Sequence, residues 1–306
     1  MCLILLAHRA VPGYALVLAA NRDEFFARPT APADYWADAP QVLAGRDLEK
    51  GGTWMGVTRG GRWAAVTNYR DGTRPETGSR SRGELVARYL LERSSAAAYT
   101  AAVAEAGAEY HGFNLLVGDA EGVHYVSNRE ARPRALGPGI YGLSNHLLDT
   151  PWPKVERGKR ELEALLGGDP KDPTEPLLAL LADRRLAPTD ALPETGVSRD
   201  WEKLLSSAFI RAPGYGTRAS SVLLIEHGGE ASLRERSFGA SAELLEDRRF
   251  RFTVAPHRAV RNAGLDEFFA FRDKAMARIE RHRLGLCVEP HPPDAAVARE
   301  AQQRLE

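Results

Sequence analysis

Residues 14–20 read Tyr-Ala-Leu-Val-Leu-Ala-Ala, with no charge and no alternation between apolar and polar positions. Successive side chains of a strand point to opposite faces, so a strand with one wet face alternates. A strand that is apolar throughout has to be covered on both sides. The run is also far short of the roughly 20 residues that a helix needs to span a bilayer. A second apolar run, residues 2–7, precedes it across Pro12-Gly13, which is the pattern of a hairpin. The chain therefore has to build a sheet sandwiched between other layers.

The remaining pattern fits that requirement. Residues 43–54 read as a glycine-rich loop, and a second hairpin over 54–67 turns at Gly60-Gly61, where positive φ is favoured. Ser81 and Glu84, just ahead of Leu85-Val86, have capping-box spacing and predict a helix start, continued by alanine-rich sequence to about residue 109. Strands are expected at 113–117, 123–126 and 140–144. Thr150-Pro151 predicts an N-cap with proline at the first helical position, for a helix reaching residue 166, and a further helix covers 175–181. Four more strands are expected at 207–210, 220–225, 232–237 and 249–254, with a turn at Gly228-Gly229. Runs of strands separated by runs of helices argue for an α+β fold with antiparallel sheets. Residues 1–255 form the expected main domain. Residues 256–306 read as a C-terminal extension, with an amphipathic helix over 265–284 and a proline-containing tail.

Composition narrows the class. Lys plus Arg and Asp plus Glu both number 41, so no global field draws nucleic acid or an anionic membrane surface. Cys2 and Cys287 stand at opposite ends and have no metal or redox spacing, which suits a reducing compartment. None of the eight histidines has metal-binding spacing or sits in a haem-attachment motif. Arg9 follows the first apolar segment, and Asn21-Arg22-Asp23-Glu24 interrupts the region where a signal peptide would be cleaved. The expectation is a cytoplasmic protein without a membrane span, metal, cofactor or nucleic-acid partner. Its partner would be a small-molecule substrate or hydrophobic ligand. The sequence leaves the oligomeric state open.

Cys2 stands out chemically. A small residue at position two favours loss of Met1, which would leave a thiol and a free α-amine on one residue: a nucleophile with its own general base. Reference values of about 7.7–8.0 for the amine and about 8.5 for the thiol suit that pairing at neutral pH. The alternative is a small apolar residue opening a buried strand. Polar clusters gather where the apolar strands end: Asn21-Arg22-Asp23-Glu24, Thr67-Asn68-Tyr69-Arg70, Ser144-Asn145-His146 and Gly216-Thr217-Arg218. Strand ends are a rigid platform for a site, although Asn and Asp also favour turns there. Alternation puts Asn21 and Asp23 on one face and Arg22 and Glu24 on the other.

Asn21-Arg22-Asp23-Glu24 after Met1-Cys2 resembles the NRDE family, also called the transport and Golgi organization protein 2 family. Gly51-Gly52-Thr53-Trp54, Ser81-Arg82-Gly83-Glu84, Gly112-Phe113-Asn114-Leu115, Tyr141-Gly142-Leu143-Ser144-Asn145 and Tyr215-Gly216-Thr217-Arg218 continue the resemblance in order over residues 1–254. It implies relatives from bacteria to animals, and links to Golgi organisation and haem trafficking in eukaryotes. It carries no assigned chemistry.

More distantly, the chain is similar to cysteine-type N-terminal nucleophile hydrolases, which implies a four-layer αββα sandwich. It also implies an amidohydrolase acting on a non-peptide C–N bond. Carried over, Cys2 is the nucleophile, Asp23 holds its amine, Asn68 and Asn145 flank the oxyanion, and Arg218 lies near the thiolate. Those hydrolases place an arginine where this chain has Ala20, and Arg22 is expected to face the other way. Arg22, Trp54, Tyr69 and His146 are the expected substrate-binding residues. The alternative is a non-catalytic carrier, for haem or another hydrophobic ligand, with a pocket lined by Tyr69, Trp54 or Trp152.

Overall fold

The computed structural model describes residues 3–73, 78–130 and 132–254. Cys2 and the C-terminal extension lie outside the described residues. The first sheet is built from β1 (Leu3–Val11), β2 (Tyr14–Phe25), β10 (Gly139–Leu143), β11 (Arg211–Ala212), β12 (Tyr215–Glu226), β13 (Glu230–Phe238) and β14 (Leu244–Thr253). Its order is β10-β1-β2-β12-β13-β14, with β11 on β12. The second sheet runs β3 (Thr30–Trp36), β4 (Ala39–Asp47), β5 (Met55–Thr58), β6 (Trp63–Asn68), β7 (Phe113–Gly118), β8 (Val123–Ser127) and β9 (Arg134–Leu136) in sequence order. All pairings in both sheets are antiparallel.

Three apolar layers explain the uniform strand. Leu16, Leu18 and Ala20 point between the sheets, beside Ile4, Leu6 and Leu223, and meet Leu43, Met55 and Leu116 of the second sheet. Val17 and Ala19 point outward with Leu3 and Leu5 onto Val155 and Leu162 of α3 (Pro153–Gly167) and Leu177 and Leu181 of α4 (Thr174–Leu181). The outer face of the second sheet, including Val42, Ala64 and Leu115, is covered by α1 (Arg82–Leu91) and α2 (Ala96–Glu105). The described residues thus form an αββα sandwich, the α+β architecture expected. Each apolar side chain taken fully out of water contributes roughly 1.5–3 kcal/mol, and β2 collects that on both faces.

One end of the sandwich is laced by polar bonds. Past β10 the chain crosses to the second sheet: Thr67 Oγ1 donates to the Ser144 carbonyl (2.7 Å), Asn114 Nδ2 to the His146 carbonyl (2.9 Å), and Leu148 N to Tyr125 Oη (3.3 Å). Buried Glu235 of β13 accepts from Ala33 N of β3 at 2.7 Å and from Ser221 Oγ at 2.9 Å. Among the described residues no helix is long and apolar enough to cross a membrane.

Several local expectations are corrected. Residues 43–47 are the core half of β4 and not loop: Gly45 is there because a Cβ would come within 2.3 Å of the Trp54 ring. Helix α1 does begin after Ser81, but the Ser81 side chain makes no capping bond, and Glu84 pairs with Arg80 instead. The alanine-rich stretch is interrupted after α1, and α2 restarts with Ser95 accepting from Ala98 N. Helix α3 starts two residues late, at Pro153, because the Thr150 hydroxyl is bonded to the Leu147 carbonyl. Residues 207–210 form no strand: Phe209 N donates to the Asp183 carbonyl and Ile210 N to Thr217 Oγ1, folding the segment over the end of β2. A short helix, α5 (Arg199–Leu204), precedes it.

Candidate functional site

At this laced end a cavity of about 340 Å³ opens beside the last turns of β2, β4 and β6 and the start of α1. Arg22 and Trp54 form its inner wall. Arg22 is only 4% exposed, and its guanidinium lies over the Trp54 ring, 4.4 Å from the centroid. Its Nη1 donates to Thr30 Oγ1 at 3.1 Å, while its carboxylate neighbour, Glu24, stands 3.9 Å away. Burial pushes the Arg22 pKa down, and Glu24 and Asp47 oppose that shift. Arg28 is held by Asp47 at 2.7 Å. The lining carries Arg22, Arg28, Lys50, Arg80 and Arg82 with the carboxylates Glu24 and Asp47, and Arg80 is paired with Glu84 and Glu109 outside the lining. Guanidinium groups gathered in a partly desolvated space offer N–H donors that suit an anionic occupant.

Two close approaches build that wall. Gly52 sits so near Gly83 that a Cβ would meet its carbonyl carbon at 2.5 Å, and Thr53 N donates to the Gly83 carbonyl at 3.1 Å. The glycine motifs at 51–54 and 81–84 are therefore two sides of one contact, which brings Arg80 and Arg82, at the start of α1, to the cavity.

The opposite face of β2 is closed. Asn21 is saturated: its amide donates to the Leu181 and Ala208 carbonyls at 2.8 Å each, and its oxygen accepts from Ser220 Oγ at 2.6 Å. Asn21 is thus a structural tie to the helical layer. Asp23, 2% exposed, differs. Its Oδ1 accepts from Thr217 Oγ1 at 2.6 Å, whereas Oδ2 is buried without a hydrogen-bond partner among the described residues. A buried acceptor with nothing to accept is costly, which marks Oδ2 as a place where a donor belongs.

The expected parity of Asn21 and Asp23 against Arg22 and Glu24 is what the strand shows. The expectation that Arg22 faces away from the Ala20 side is corrected: positions two apart share a face, and both residues look between the sheets. Asn68 lines the cavity, and its carbonyl accepts from Asn145 Nδ2 at 3.0 Å. Tyr69 and His146 pair with each other, Oη to Nε2 at 2.7 Å, and the His146 ring lies tilted against Trp152, with centroids 5.9 Å apart. Burial lowers the His146 pKa. The Thr150 hydroxyl donates to Leu147, so it accepts from His146 Nδ1 (2.9 Å); the tautomer with the proton on Nδ1 follows, and Nε2 accepts from Tyr69. Arg218 Nη1 donates to the carbonyls of Phe25 (3.0 Å) and Arg28 (3.0 Å), bracing the turn after β2.

Sequence reasoning missed Thr217 as a partner of Asp23, together with Arg28, Lys50, Arg80 and Arg82. Thr217 stood in a cluster singled out by its strand-end position. The other four belong to three segments, which the Arg28–Asp47 pair and the Gly52–Gly83 contact bring together.

The sequence matches the family model described as Transport and Golgi organisation 2 over residues 1–240. It is 40% identical over 259 residues to the Transport and Golgi organization protein 2 homolog of Bos taurus, covering 78% of this chain and 93% of that protein. The Homo sapiens homolog is 36% identical over 277 residues, covering 83% of this chain and 99% of that protein. Among solved structures, a mutant conjugated bile acid hydrolase from Clostridium perfringens aligns with 11% identity over 86% of this chain and all (100%) of that chain, with a TM-score of 0.41.

Proposed function

The chain belongs to the Transport and Golgi organisation 2 family, and from that premise we propose that it is a cysteine N-terminal nucleophile hydrolase cleaving a small amide or acyl compound that carries an anionic group. The observation that carries this reading is Asp23 Oδ2, a buried carboxylate oxygen lacking a donor at the end of β2. Cys2 adjoins Leu3 in the chain, and Leu3 pairs with Asn21, two residues from Asp23. A neutral α-amine on Cys2 would supply the missing N–H donor, and Asp23 would orient it and stabilise the ammonium that forms once it takes the thiol proton, as the acid of a triad does for its base.

In the proposed reaction the Cys2 sulfur attacks the carbonyl carbon while the α-amine takes the thiol proton. The C–N bond breaks as that proton passes to the departing nitrogen, leaving a thioester. Water, activated by the same amine, then releases the acid and restores the thiol. Asn145 has committed one amide N–H to the Asn68 carbonyl. A side-chain amide well placed at the oxyanion supplies about 3 kcal/mol of transition-state stabilisation. The arginine-lined cavity would hold the substrate's anionic group, and it favours this reading over a carrier of an apolar ligand.

Intact mass and N-terminal sequencing of the purified full chain, followed by limiting iodoacetamide, test the proposal. The expected result is loss of Met1 and alkylation of Cys2 well ahead of Cys287. Retained Met1, or equal labelling of the two cysteines, overturns it.

A further inference from the structure

Thr217 is the sole hydrogen-bond partner of Asp23's side chain among the described residues, and the fold breaks a strand register to put it there. Along β12, Ala219, Ser221 and Leu223 pair with Arg22, Ala20 and Leu18, and Ala219 and Leu223 face the space between the sheets. Simple alternation would turn Thr217 the same way. Between Thr217 and Ala219 the register shifts: Ala219 opposes Arg22 and Thr217 opposes Asp23, so one extra residue, Arg218, is accommodated on β12. A bulge of this kind re-aims the side chain beside it. Here it moves Thr217, 1% exposed, onto the closed face with Asp23.

The hydroxyl then has its hydrogen bonds fixed in direction. Ile210 N–H donates to Thr217 Oγ1 at 2.9 Å, and the hydroxyl's single proton goes to Asp23 Oδ1 at 2.6 Å. One carboxylate oxygen is thereby engaged, leaving Oδ2 as the open acceptor among the described residues.

We propose that Thr217 is a positioning residue for the nucleophile: delivered by the bulge at Arg218 and polarised by Ile210 N–H, it fixes the Asp23 carboxylate so that Oδ2 presents to the α-amine of Cys2. This rests on the hydrolase reading above. It extends that reading to a residue whose contribution passes through Asp23 and does not involve touching substrate.

The test is the rate of Cys2 alkylation by iodoacetamide in the full chain from pH 5 to pH 9, followed by peptide mass, for wild type, Thr217→Val and Thr217→Ser. Valine keeps the shape and removes the hydroxyl. It is expected to slow Cys2 labelling at pH 7 by about ten-fold and to move the profile's midpoint upward, toward that of an ordinary thiol. Serine restores the hydroxyl and should stay within about two-fold of wild type. A folded Thr217→Val variant with the wild-type rate and profile overturns the inference alone. So does a folded Thr217→Ser variant that has lost the profile, which keeps the test decisive if valine prevents folding. If the wild type shows no preference for Cys2 over Cys287, the proposed function falls and takes this inference with it.

Discussion

Replacing Arg22 by methionine separates a binding role from a structural one, because the two predict opposite outcomes. Taking a guanidinium out of water costs several kcal/mol. Against that cost, Glu24 at 3.9 Å returns about 4 kcal/mol at an effective dielectric of 20, and nearer 1–2 after discounting for Glu24's 25% exposure. The bond to Thr30 adds about 1.5–3 kcal/mol and the Trp54 face about 0.5–2. These terms nearly cancel. Methionine keeps the length, can lie on Trp54 for about 0.3–1.5 kcal/mol, and brings no charge to desolvate. Glu24 is not stranded, since Arg28 also lies 3.9 Å from it. Arg22→Met should therefore unfold in urea within about 2 kcal/mol of wild type.

The anion response should behave differently. Inorganic phosphate, the simplest probe of the cavity's charge, would stabilise the wild type by about 2.7 kcal/mol at a hundred times its dissociation constant, a rise of roughly 5–10 °C in Tm for a domain of this size. Arg22→Met should lose most of that rise. A variant destabilised by more than about 3 kcal/mol that still responds fully to phosphate would refute the argument and make Arg22 one half of a buried structural pair.

Two further expectations concern the scaffold. Gly52→Ala should cost about 1–3 kcal/mol through its 2.5 Å collision with the Gly83 backbone. Gly51→Ala, at φ +71° but in open space, should cost only about 1 kcal/mol. Thermal melts that place Gly51→Ala below Gly52→Ala would contradict the close-approach reading. Burial pushes the Glu235 pKa up. Its folded value then exceeds the unfolded one, so the folded state holds the proton over the interval between them and stability falls as pH rises through it. Glu235→Gln should flatten that decline in urea midpoints measured from pH 4 to pH 8, and an unchanged slope would show that Glu235 does not drive it.

What the sequence discloses and withholds divides along the range of the interactions. The two-sided burial of β2 is legible because every residue from Tyr14 to Ala20 has to find an apolar neighbour, and composition alone reports that. The turns at Gly13 and Gly61 are legible because positive φ at each (+81° and +79°) is a local demand. Residues 43–54 mislead because Gly45 answers a distant need, room for Trp54, and reads locally as loop. The same distinction divides the site. Asp23 is visible as an acid ending an apolar strand. Its partnership with Thr217 is not, because period-two counting along β12 puts Thr217 on the wrong face. The bulge that corrects this exists only in the pairing of β12 with β2, residues 194 apart in the chain at the Thr217–Asp23 bond. The cavity's charge is hidden in the same way: Arg22, Lys50 and Arg82 belong to separate segments and meet through the Gly52–Gly83 contact and the ends of the strands. A site assembled by register is one that a single insertion in β12 would dismantle while leaving every motif in the sequence intact.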